Sequence, residues 1–375
     1  YNFFYNVLLV FGYKVFFQIQ KPSLLISNFF KEVKNIVAAK KNSLIKANLY
    51  AYIVGLICNG FLFITGNFRM NELSIGYSGP FLQILKSISS VNFLSVILFS
   101  QIRYYSEKID KRFNYLYAGI SFFSIYFAIQ SGSRGQLIIN LFIISLGYWK
   151  EIKKNLKLTI FILILSFPLF IILFPLISSF RNSGYDLSQT FFLLSTKLNS
   201  QSITDTIAEV FIGRFNYLQT LSRVIYQVNN FGPEGADIYL NNIIGLIPRI
   251  IWPGKPLISD YSVETGYILE MINEIDFDSS LGLGVSAEGY YRLGYFGLLI
   301  SIAEALIFSF FSKNFFVKKN IISMSIFIFF IVKILSRDGY FALIPGLIWD
   351  SVTCLIFIFF LILFTKKSTK SLSKI

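Results

Sequence analysis

Hydrophobic residues occur along the chain in long continuous runs, separated by polar stretches that are rich in lysine. A helix needs about 20 apolar residues to cross a bilayer. We predict nine membrane-spanning helices, at residues 3–20, 48–66, 79–100, 115–130, 136–149, 158–177, 292–311, 321–335 and 340–364. Strands of a closed barrel alternate apolar and polar residues, and these runs do not. The pattern therefore predicts an all-α polytopic membrane protein.

One connection, residues 178–290, is far longer than the others. Long connections without secondary structure of their own are uncommon in folded proteins. We expect this connection to contain helices and to cap the bundle on the outer side of the membrane. The sequence thus divides into N-terminal transmembrane helices (1–177), a large periplasmic loop (178–290), and C-terminal transmembrane helices with a cytoplasmic tail (291–375).

The composition excludes several classes of protein. Hydrophobic residues make up 54% of the 375 residues, more than a soluble domain of this size could bury. Cys58 and Cys354 both fall inside predicted spans and show no spacing typical of a disulfide framework or a metal site. Histidine, the most frequent general base and metal ligand, does not occur. The sequence thus shows no recognisable metal or cofactor motif, and we expect no cofactor.

The positive charges predict the orientation of the chain in the membrane. Alternate connections carry 21 of the 34 lysines and arginines, namely 21–47, 101–114, 150–157, 312–320 and 365–375. The positive-inside rule assigns these connections to the cytoplasm. The first visible span then begins on the outer side. We expect at least one further helix before Tyr1, and ten or more in the full protein.

Lysine and arginine are distributed differently between the two sides. The cytoplasmic connections hold 19 of the 24 lysines, whereas eight of the ten arginines fall on the outer side: Arg69, Arg134, Arg181, Arg214, Arg223, Arg249, Arg292 and Arg337. A guanidinium is a planar, permanently charged fork that binds phosphate in a bidentate manner. The set therefore favours an outer anion site. The alternative is that these arginines snorkel: the aliphatic part of each side chain lies along apolar surface while the guanidinium reaches the membrane interface.

Two of the outer arginines have unusual surroundings. Arg134 lies in S-G-S-R-G (131–135) between two predicted spans, where glycine permits close backbone approach and a helix start attracts anions. Arg214 lies on the apolar face of a predicted amphipathic helix over 202–228, where a charge is costly unless it is paired or lines a wet cleft. Arg223 points to the opposite side of that helix. The alternatives are a re-entry turn for Arg134 and a structural salt bridge for Arg214.

The second half of the loop adds further candidates. L-I-P-R-I-I-W-P-G-K-P (246–256) is rigid because of its three prolines, and Trp252 suits the headgroup level, which would hold Arg249 near the depth of lipid phosphates. Glu288 and Arg292 are four residues apart where the next span begins. They predict either a local ion pair or a general base beside a phosphate-binding arginine. Asp350 lies inside a predicted span, where acidic residues are rare and often functional.

Three segments carry a resemblance to a known family. S-G-S-R-G, L-I-P-R-I-I-W-P-G-K-P and A-E-G-Y-Y-R-L-G-Y-F-G (287–297) together resemble segments of the bacterial O-antigen polymerases, which are oligosaccharide repeat-unit polymerases of the inner membrane. The rest of the chain matches that family only as a series of spans with one large outer loop.

The resemblance implies a fold, an activity and a set of partners. It implies a GT-C-like, metal-independent glycosyltransferase that transfers an undecaprenyl-pyrophosphate-linked glycan onto another lipid-linked repeat unit, with lipid pyrophosphate as leaving group. Glu288 would be the general base, and Arg134, Arg214, Arg249 and Arg292 would bind pyrophosphate; Arg181, Arg223, Arg337 and Asp350 are further candidates. The expected partners are lipid-linked glycans, membrane lipid and a chain-length regulator protein, with no nucleic acid.

Three other functions are compatible with the sequence. A lipid-linked oligosaccharide flippase would use charges inside the spans, of which Lys14, Lys86, Glu304, Lys333 and Asp350 are present. A glycosyltransferase that uses a lipid-monophosphate sugar would carry an acidic pair in an early outer loop, but the first visible one, 67–78, has only Glu72. A peptidoglycan polymerase of the cell-division type is a more distant possibility.

Overall fold

The computed structural model describes residues 2–20, 41–65, 80–106, 110–130, 134–155, 217–235, 285–316, 320–335 and 340–372, with the single residues 157, 160, 188, 189, 192 and 195. Within these ranges nearly every residue is helical and no strand occurs. The predicted all-α class is confirmed for this part of the chain. A helix satisfies its own backbone hydrogen bonds, which lipid cannot do.

We number the helices of the described ranges in chain order. They are α1 (Asn2–Ile19), α2 (Lys41–Ile64), α3 (Pro80–Tyr105), α4 (Lys111–Gln130), α5 (Arg134–Gly147), α6 (Trp149–Lys154), α7 (Tyr217–Phe231), α8 (Val285–Leu293), α9 (Leu298–Phe311), α10 (Ile321–Leu335) and α11 (Tyr340–Leu372). A 3₁₀ turn (Gly294–Gly297) joins α8 to α9, and a π-helical turn (Ser312–Phe316) follows α9. Helical turns thus follow one another from Val285 to Phe316, with a break at Gly294, whose φ is 57°.

Four helical stretches are long and apolar enough to cross a membrane. They are Asn42–Ile64, Ile84–Tyr105, Ala287–Phe315 and Leu347–Thr365, and they coincide with the predicted spans 48–66, 79–100, 292–311 and 340–364. The predicted spans 3–20, 136–149 and 321–335 coincide with the shorter apolar helices Phe4–Ile19, Gly135–Gly147 and Ile321–Ile334. These features are typical of a multi-pass membrane protein.

The remaining two predicted spans have a different outcome. The span 115–130 forms a helix, α4, that belongs to neither of those two groups. The span 158–177 lies outside the described residues. The total of nine spans therefore stays a prediction.

The chain divides into two compact units. The first unit comprises Tyr1–Leu62, Leu73–Leu98 and Leu218–Ile375, and the second comprises Phe63–Glu72 and Phe99–Tyr217. Helix α3 contributes its first part to one unit and its last part to the other. Its span is 61% buried, whereas the other three candidate spans are 33–39% buried.

In the first unit, α1 lies along α9 and is joined to it by polar contacts. The hydroxyl of Tyr5 donates a hydrogen bond of 2.5 Å to Oε2 of Glu304, and both side chains are buried. Farther along, Ser309 donates to Oε1 of Gln20 at 3.1 Å, and Lys313 donates to the carbonyl of Phe17 at 2.7 Å. These contacts satisfy polar groups that lipid could not hydrate.

Helices α2 and α3 approach each other closely in the same unit. A Cβ atom at Gly55 would lie 2.7 Å from the backbone nitrogen of Asn92, so only glycine fits at this contact. Nearby, Asn48 donates a hydrogen bond of 3.0 Å to the carbonyl of Ser95. Both residues are fully buried.

In the second unit, α4, α5 and the end of α3 are fastened by side chains that reach backbone carbonyls. Ser100 donates to the carbonyl of Ile143 at 2.7 Å, and Tyr117 donates to that of Ile144 at 3.0 Å. Ser124 donates to Oδ1 of Asn140 at 2.9 Å. These hydrogen bonds give the polar side chains a structural role, because they hold the three helices together.

Candidate functional site at helix α8

Helix α8 is held by α7 through a small apolar contact in the first unit. Val224 of α7 is fully buried against Ala287, Tyr290 and Tyr291 of α8, and Leu221 and Val228 pack around it. Burial of these side chains stabilises the fold by about 25 cal/mol for each Å² of apolar surface that is removed from water. The contact fixes the two helices side by side and so orients the polar side chains that α8 carries.

The segment after α7 caps the C-terminal end of α8. Gly232 (φ 82°) and Gly235 (φ 112°) adopt the left-handed backbone conformation that favours glycine, which turns the chain back toward α8. The amide of Glu234 then donates to the carbonyl of Tyr291 at 3.0 Å, and the amide of Gly235 donates to that of Arg292 at 2.9 Å. These bonds satisfy carbonyls that the end of a helix leaves without a partner inside the helix.

Arg292 lies in the last turn of α8 and forms an ion pair with Glu234. Its Nη1 atom contacts Oε2 of Glu234, and its guanidinium lies 5.0 Å from the centre of the Tyr291 ring. The Arg292 side chain is 5% exposed and that of Glu234 is 36% exposed. A cation near a helix C-terminus is also stabilised by the helix dipole. The guanidinium is therefore buried while its carboxylate partner faces outward.

Glu288 lies one helical turn before Arg292 and is buried as well, at 5% exposure. Residues four apart share one face of a helix, so the two charged side chains belong to the same side of α8. Glu288 stands in the first turn of α8, where the helix dipole stabilises a negative charge. The site thus combines a buried carboxylate, a buried guanidinium and a second carboxylate that is partly exposed.

Exposed aromatic rings follow directly after this site. Tyr295 is 72% exposed and Phe296 is 76% exposed in the 3₁₀ turn that joins α8 to α9. Tyr295 also contacts Tyr290 edge to face, with ring centres 5.5 Å apart. The two rings lie within the first ten residues of the candidate span Ala287–Phe315, and aromatic residues near the ends of spans are typical of the headgroup level of a bilayer. Their position favours a site near the membrane surface.

Three other candidate residues lie on helices other than α8. Arg134 is the first residue of α5 and belongs to the second unit, and only its backbone is described. Arg223 lies on α7 and is partly buried, where the sequence predicts a residue facing away from Arg214. Asp350 is buried on α11, one turn before Thr353, which donates to the carbonyl of Ser87 at 3.3 Å.

Several predicted site residues lie outside the described residues. These are Arg181, Arg214, Arg249 and Arg337, together with most of the S-G-S-R-G and all of the L-I-P-R-I-I-W-P-G-K-P segment. The described chain thus brings Glu288 and Arg292 together on one helix face. The proposed role of the other arginines beside them stays a prediction.

Glu234 is the residue of this site that the sequence did not reveal. The G-P-E-G segment (232–235) follows an amphipathic helix and is typical of a tight turn, so a turn could have been predicted there. Its pairing with Arg292 could not, because the two residues are far apart in the sequence. The local alternative for Arg292 was Glu288, and the structure adds Glu234 as an ion-pair partner.

A second buried arginine provides a reference for this arrangement. Arg103 of α3 is 5% exposed and its Nη2 atom lies 2.8 Å from Oε1 of Glu151 in α6. Its Nη1 atom donates to Oδ1 of Asn114 in α4, and its guanidinium lies 4.1 Å from the centre of the Tyr148 ring. This arginine joins three helices of the second unit, and its contacts are those of a structural group.

Chemically, the α8 site can hold an anion and accept a proton. A guanidinium binds phosphate oxygens through charge-assisted hydrogen bonds, and a carboxylate can remove a proton from a hydroxyl group. Within the described ranges, no group of three or more cysteine, aspartate and glutamate side chains is arranged to hold a metal ion.

A family model described as a domain of unknown function (DUF8712) matches residues 50–367, which include α8 and the three segments 131–135, 246–256 and 287–297. No curated protein and no solved structure matches the chain.

Proposed function

We propose that this chain, which belongs to the DUF8712 family, is a glycosyltransferase that polymerises undecaprenyl-pyrophosphate-linked repeat units into O-antigen or a related surface polysaccharide. The proposal includes a GT-C-like architecture, the bacterial inner membrane and a site that faces the periplasm. It is supported by the three segments that resemble O-antigen polymerases and by the four helices long and apolar enough to cross a membrane.

The observation that carries the proposal is the burial of Glu288 and Arg292 on one face of α8. Both residues come from the A-E-G-Y-Y-R-L-G-Y-F-G segment, where the long predicted outer loop meets the next predicted span. Burial of a charged side chain costs free energy, so such a residue is expected only where it has a partner of opposite charge or takes part in function. Glu234 accounts for part of the stabilisation of Arg292. A glycosyl transfer with a diphosphate leaving group uses both kinds of charge.

In the proposed reaction, a sugar hydroxyl of the acceptor repeat unit attacks the anomeric carbon of the donor glycan. A new C–O bond forms while the bond from that carbon to the pyrophosphate oxygen breaks. The hydroxyl proton passes to the carboxylate of Glu288, and the bonding electrons leave with the lipid pyrophosphate. Preorganised cations stabilise the charge that develops on such a leaving group. Arg292 would supply one of them, and Arg134, Arg214 and Arg249 would supply others.

The test is polymerisation by the purified protein in detergent or nanodiscs, supplied with lipid-pyrophosphate-linked repeat units. We expect a ladder of longer glycans that persists when divalent metals are removed with a chelator. A ladder that requires added metal would contradict the arginine-based mechanism. The absence of any ladder with several different repeat units would contradict the proposed activity itself.

A second candidate, a flippase for lipid-linked oligosaccharides, is favoured by the buried acidic residues within the candidate spans. Glu304 accepts a hydrogen bond from Tyr5 between α1 and α9, and Asp350 is buried on α11. Ionisable groups at such depth often mark a transport path. Transfer of fluorescent lipid-linked glycans across a liposome bilayer, without any ladder, would favour this function over polymerisation.

A further inference from the structure

The two members of the Arg292–Glu234 pair differ in their freedom to leave it. The side chain of Arg292 is 5% exposed in the last turn of α8, whereas the side chain of Glu234 is 36% exposed. A buried guanidinium needs an anionic or polar partner, because an uncompensated charge in a low dielectric is costly. A partly exposed carboxylate can instead be hydrated by water when it moves away. An exchange of partners at this site would therefore move Glu234 and not Arg292.

The main chain around Glu234 is held independently of its carboxylate. The amides of Glu234 and Gly235 donate to the carbonyls of Tyr291 and Arg292 at 3.0 and 2.9 Å. The amide of Gly232 donates to the carbonyl of Val228 at 2.9 Å, which closes the end of α7. The side chain of Glu234 can consequently rotate away from Arg292 while the segment 232–235 stays attached to α8.

A carboxylate and a phosphate present the same chemistry to a guanidinium. Both offer pairs of negatively charged oxygen atoms that accept parallel hydrogen bonds from the arginine fork. We infer that Glu234 competes with the diphosphate of the lipid substrate for Arg292, so that Glu234 is an intramolecular latch on the anion site. This inference rests on the proposed function, in which Arg292 binds the leaving pyrophosphate.

The latch has a definite consequence for affinity. A diphosphate that binds Arg292 has to displace the carboxylate of Glu234, and that carboxylate repels the diphosphate if it stays close. Replacement of the carboxylate by an uncharged amide removes both effects. For a partly exposed ion pair of this kind, we expect Glu234→Gln to tighten binding of the diphosphate by about two- to fivefold.

The experiment measures the binding of undecaprenyl pyrophosphate in nanodiscs, and of inorganic pyrophosphate in solution, to the purified full chain. The proteins compared are the unsubstituted chain, Glu234→Gln, Arg292→Gln and the matched control Glu151→Gln. Glu151 pairs with Arg103 at 2.8 Å and is 50% exposed, so this control also removes a half-exposed glutamate from a buried arginine. Comparing the lipid with inorganic pyrophosphate distinguishes a lipid ligand from a free one.

The inference predicts tighter binding for Glu234→Gln, loss of binding for Arg292→Gln and unchanged binding for Glu151→Gln. Equal or weaker binding by a folded Glu234→Gln protein overturns it, as does equal tightening by Glu151→Gln, which would reflect net charge alone. If Glu234→Gln does not fold, as judged by size-exclusion chromatography, Glu234→Asp replaces it. The shorter side chain retracts the carboxylate from Arg292 and should also tighten binding, whereas unchanged or weaker binding by this variant overturns the inference.

Polymerisation assays separate this inference from the proposed function. If the unsubstituted protein makes ladders but the Glu234 variants bind diphosphate no more tightly, the latch is wrong and the polymerase stands. If no repeat unit yields a ladder but Glu234→Gln still binds diphosphate more tightly, the proposed reaction is wrong and the competition at Arg292 stands.

Discussion

Two arginines of the described chain, Arg103 and Arg292, are buried to the same extent but in different surroundings. Each is 5% exposed, and each pairs with a more exposed glutamate, Glu151 at 50% and Glu234 at 36%. Each guanidinium also lies against a tyrosine ring, Tyr148 at 4.1 Å and Tyr291 at 5.0 Å. An arginine that is buried, paired and stacked on a ring is thus not by itself an indication of an anion site.

The difference lies in what surrounds each pair. Arg103 has a second polar partner in Asn114, and together with Glu151 this joins α3, α4 and α6. Beside Arg292, a further carboxylate, Glu288, is buried one turn earlier on the same helix. A carboxylate and a guanidinium on one helix face are the two groups that the proposed transfer requires. The comparison therefore favours chemistry at Arg292 and structure at Arg103.

The largest effect should come from Glu288→Gln. The amide fills the same volume but accepts a proton poorly, so the general base of the proposed reaction is lost. We expect ladder formation to slow by about 10²–10⁴-fold while the protein stays folded. The rate of glycan lengthening with lipid-linked repeat units measures this. Glu151→Gln is the control and should polymerise at the unsubstituted rate; a fully active Glu288→Gln protein would make Glu288 a structural residue like Glu151.

The next largest effect should come from Arg292→Lys, which keeps the charge but removes the planar fork. A lysine cannot form the paired hydrogen bonds of a guanidinium with a diphosphate. Loss of one preorganised donor to a developing negative charge lowers the turnover number about 10²–10³-fold.

The matched substitution Arg103→Lys should lower stability and leave polymerisation nearly unchanged. It weakens the contacts with Asn114 and Glu151, so we expect a lower thermal unfolding midpoint with polymerisation within about twofold of the unsubstituted rate. Thermal unfolding and ladder assays on both variants measure the two properties. Loss of stability without loss of activity at Arg292 would remove the distinction between the two arginines.

The sequence predicts the apolar helices more completely than it predicts the α8 site. Continuous runs of Leu, Ile and Phe predicted seven helices that are apolar and lie where expected, because hydropathy alone decides whether a helix can enter lipid. The start of α8 was missed: the predicted span begins at 292 and the helix at Val285. Small and polar residues such as Ser286 and Gly289 lower the hydropathy before residue 292, so the predicted span begins later than the helix.

The site was predictable only where its residues are neighbours in the sequence. The spacing of Glu288 and Arg292 placed them on one helix face, since that follows from helix periodicity. The partner Glu234 depends on the packing of α7 against α8, which no local pattern encodes. The excess of arginine on the outer side likewise did not reveal which of those arginines is held in an ion pair, because pairing is a property of the folded chain.

Glycine substitutions should affect the stability of the second unit and of the α8 site differently. The expected changes are smaller than the effects on polymerisation described above. A Cβ atom at Gly147 would lie 2.9 Å from Cζ of the fully buried Tyr117 and 3.2 Å from Oγ of Ser100. We therefore expect Gly147→Ala to lower the free energy of unfolding by about 1–3 kcal/mol. Gly119→Ala is the matched control in α4, where nothing lies within 4 Å.

At the α8 site the corresponding position is Gly294, which has a φ of 57° in the turn after the helix. Space is available there, so only the backbone conformation opposes a side chain, and Gly294→Ala should cost about 1 kcal/mol. Chemical unfolding in detergent measures all three variants. An effect of Gly119→Ala as large as that of Gly147→Ala would show that close approach at Tyr117 is not what requires glycine.

The smallest effect expected concerns the ring that lies against Arg103. The guanidinium is 4.1 Å from the centre of the Tyr148 ring, and attraction between a cation and an aromatic face at a partly exposed position is worth about 0.5–1 kcal/mol. Tyr148→Leu should lower the free energy of unfolding by that amount, whereas Tyr148→Phe keeps the aromatic face and should lower it less. Polymerisation should stay unchanged in both. If the two variants lose equal stability, the hydroxyl and not the ring face stabilises Arg103; if either variant loses polymerisation, the Arg103 region takes part in function and the contrast with Arg292 fails.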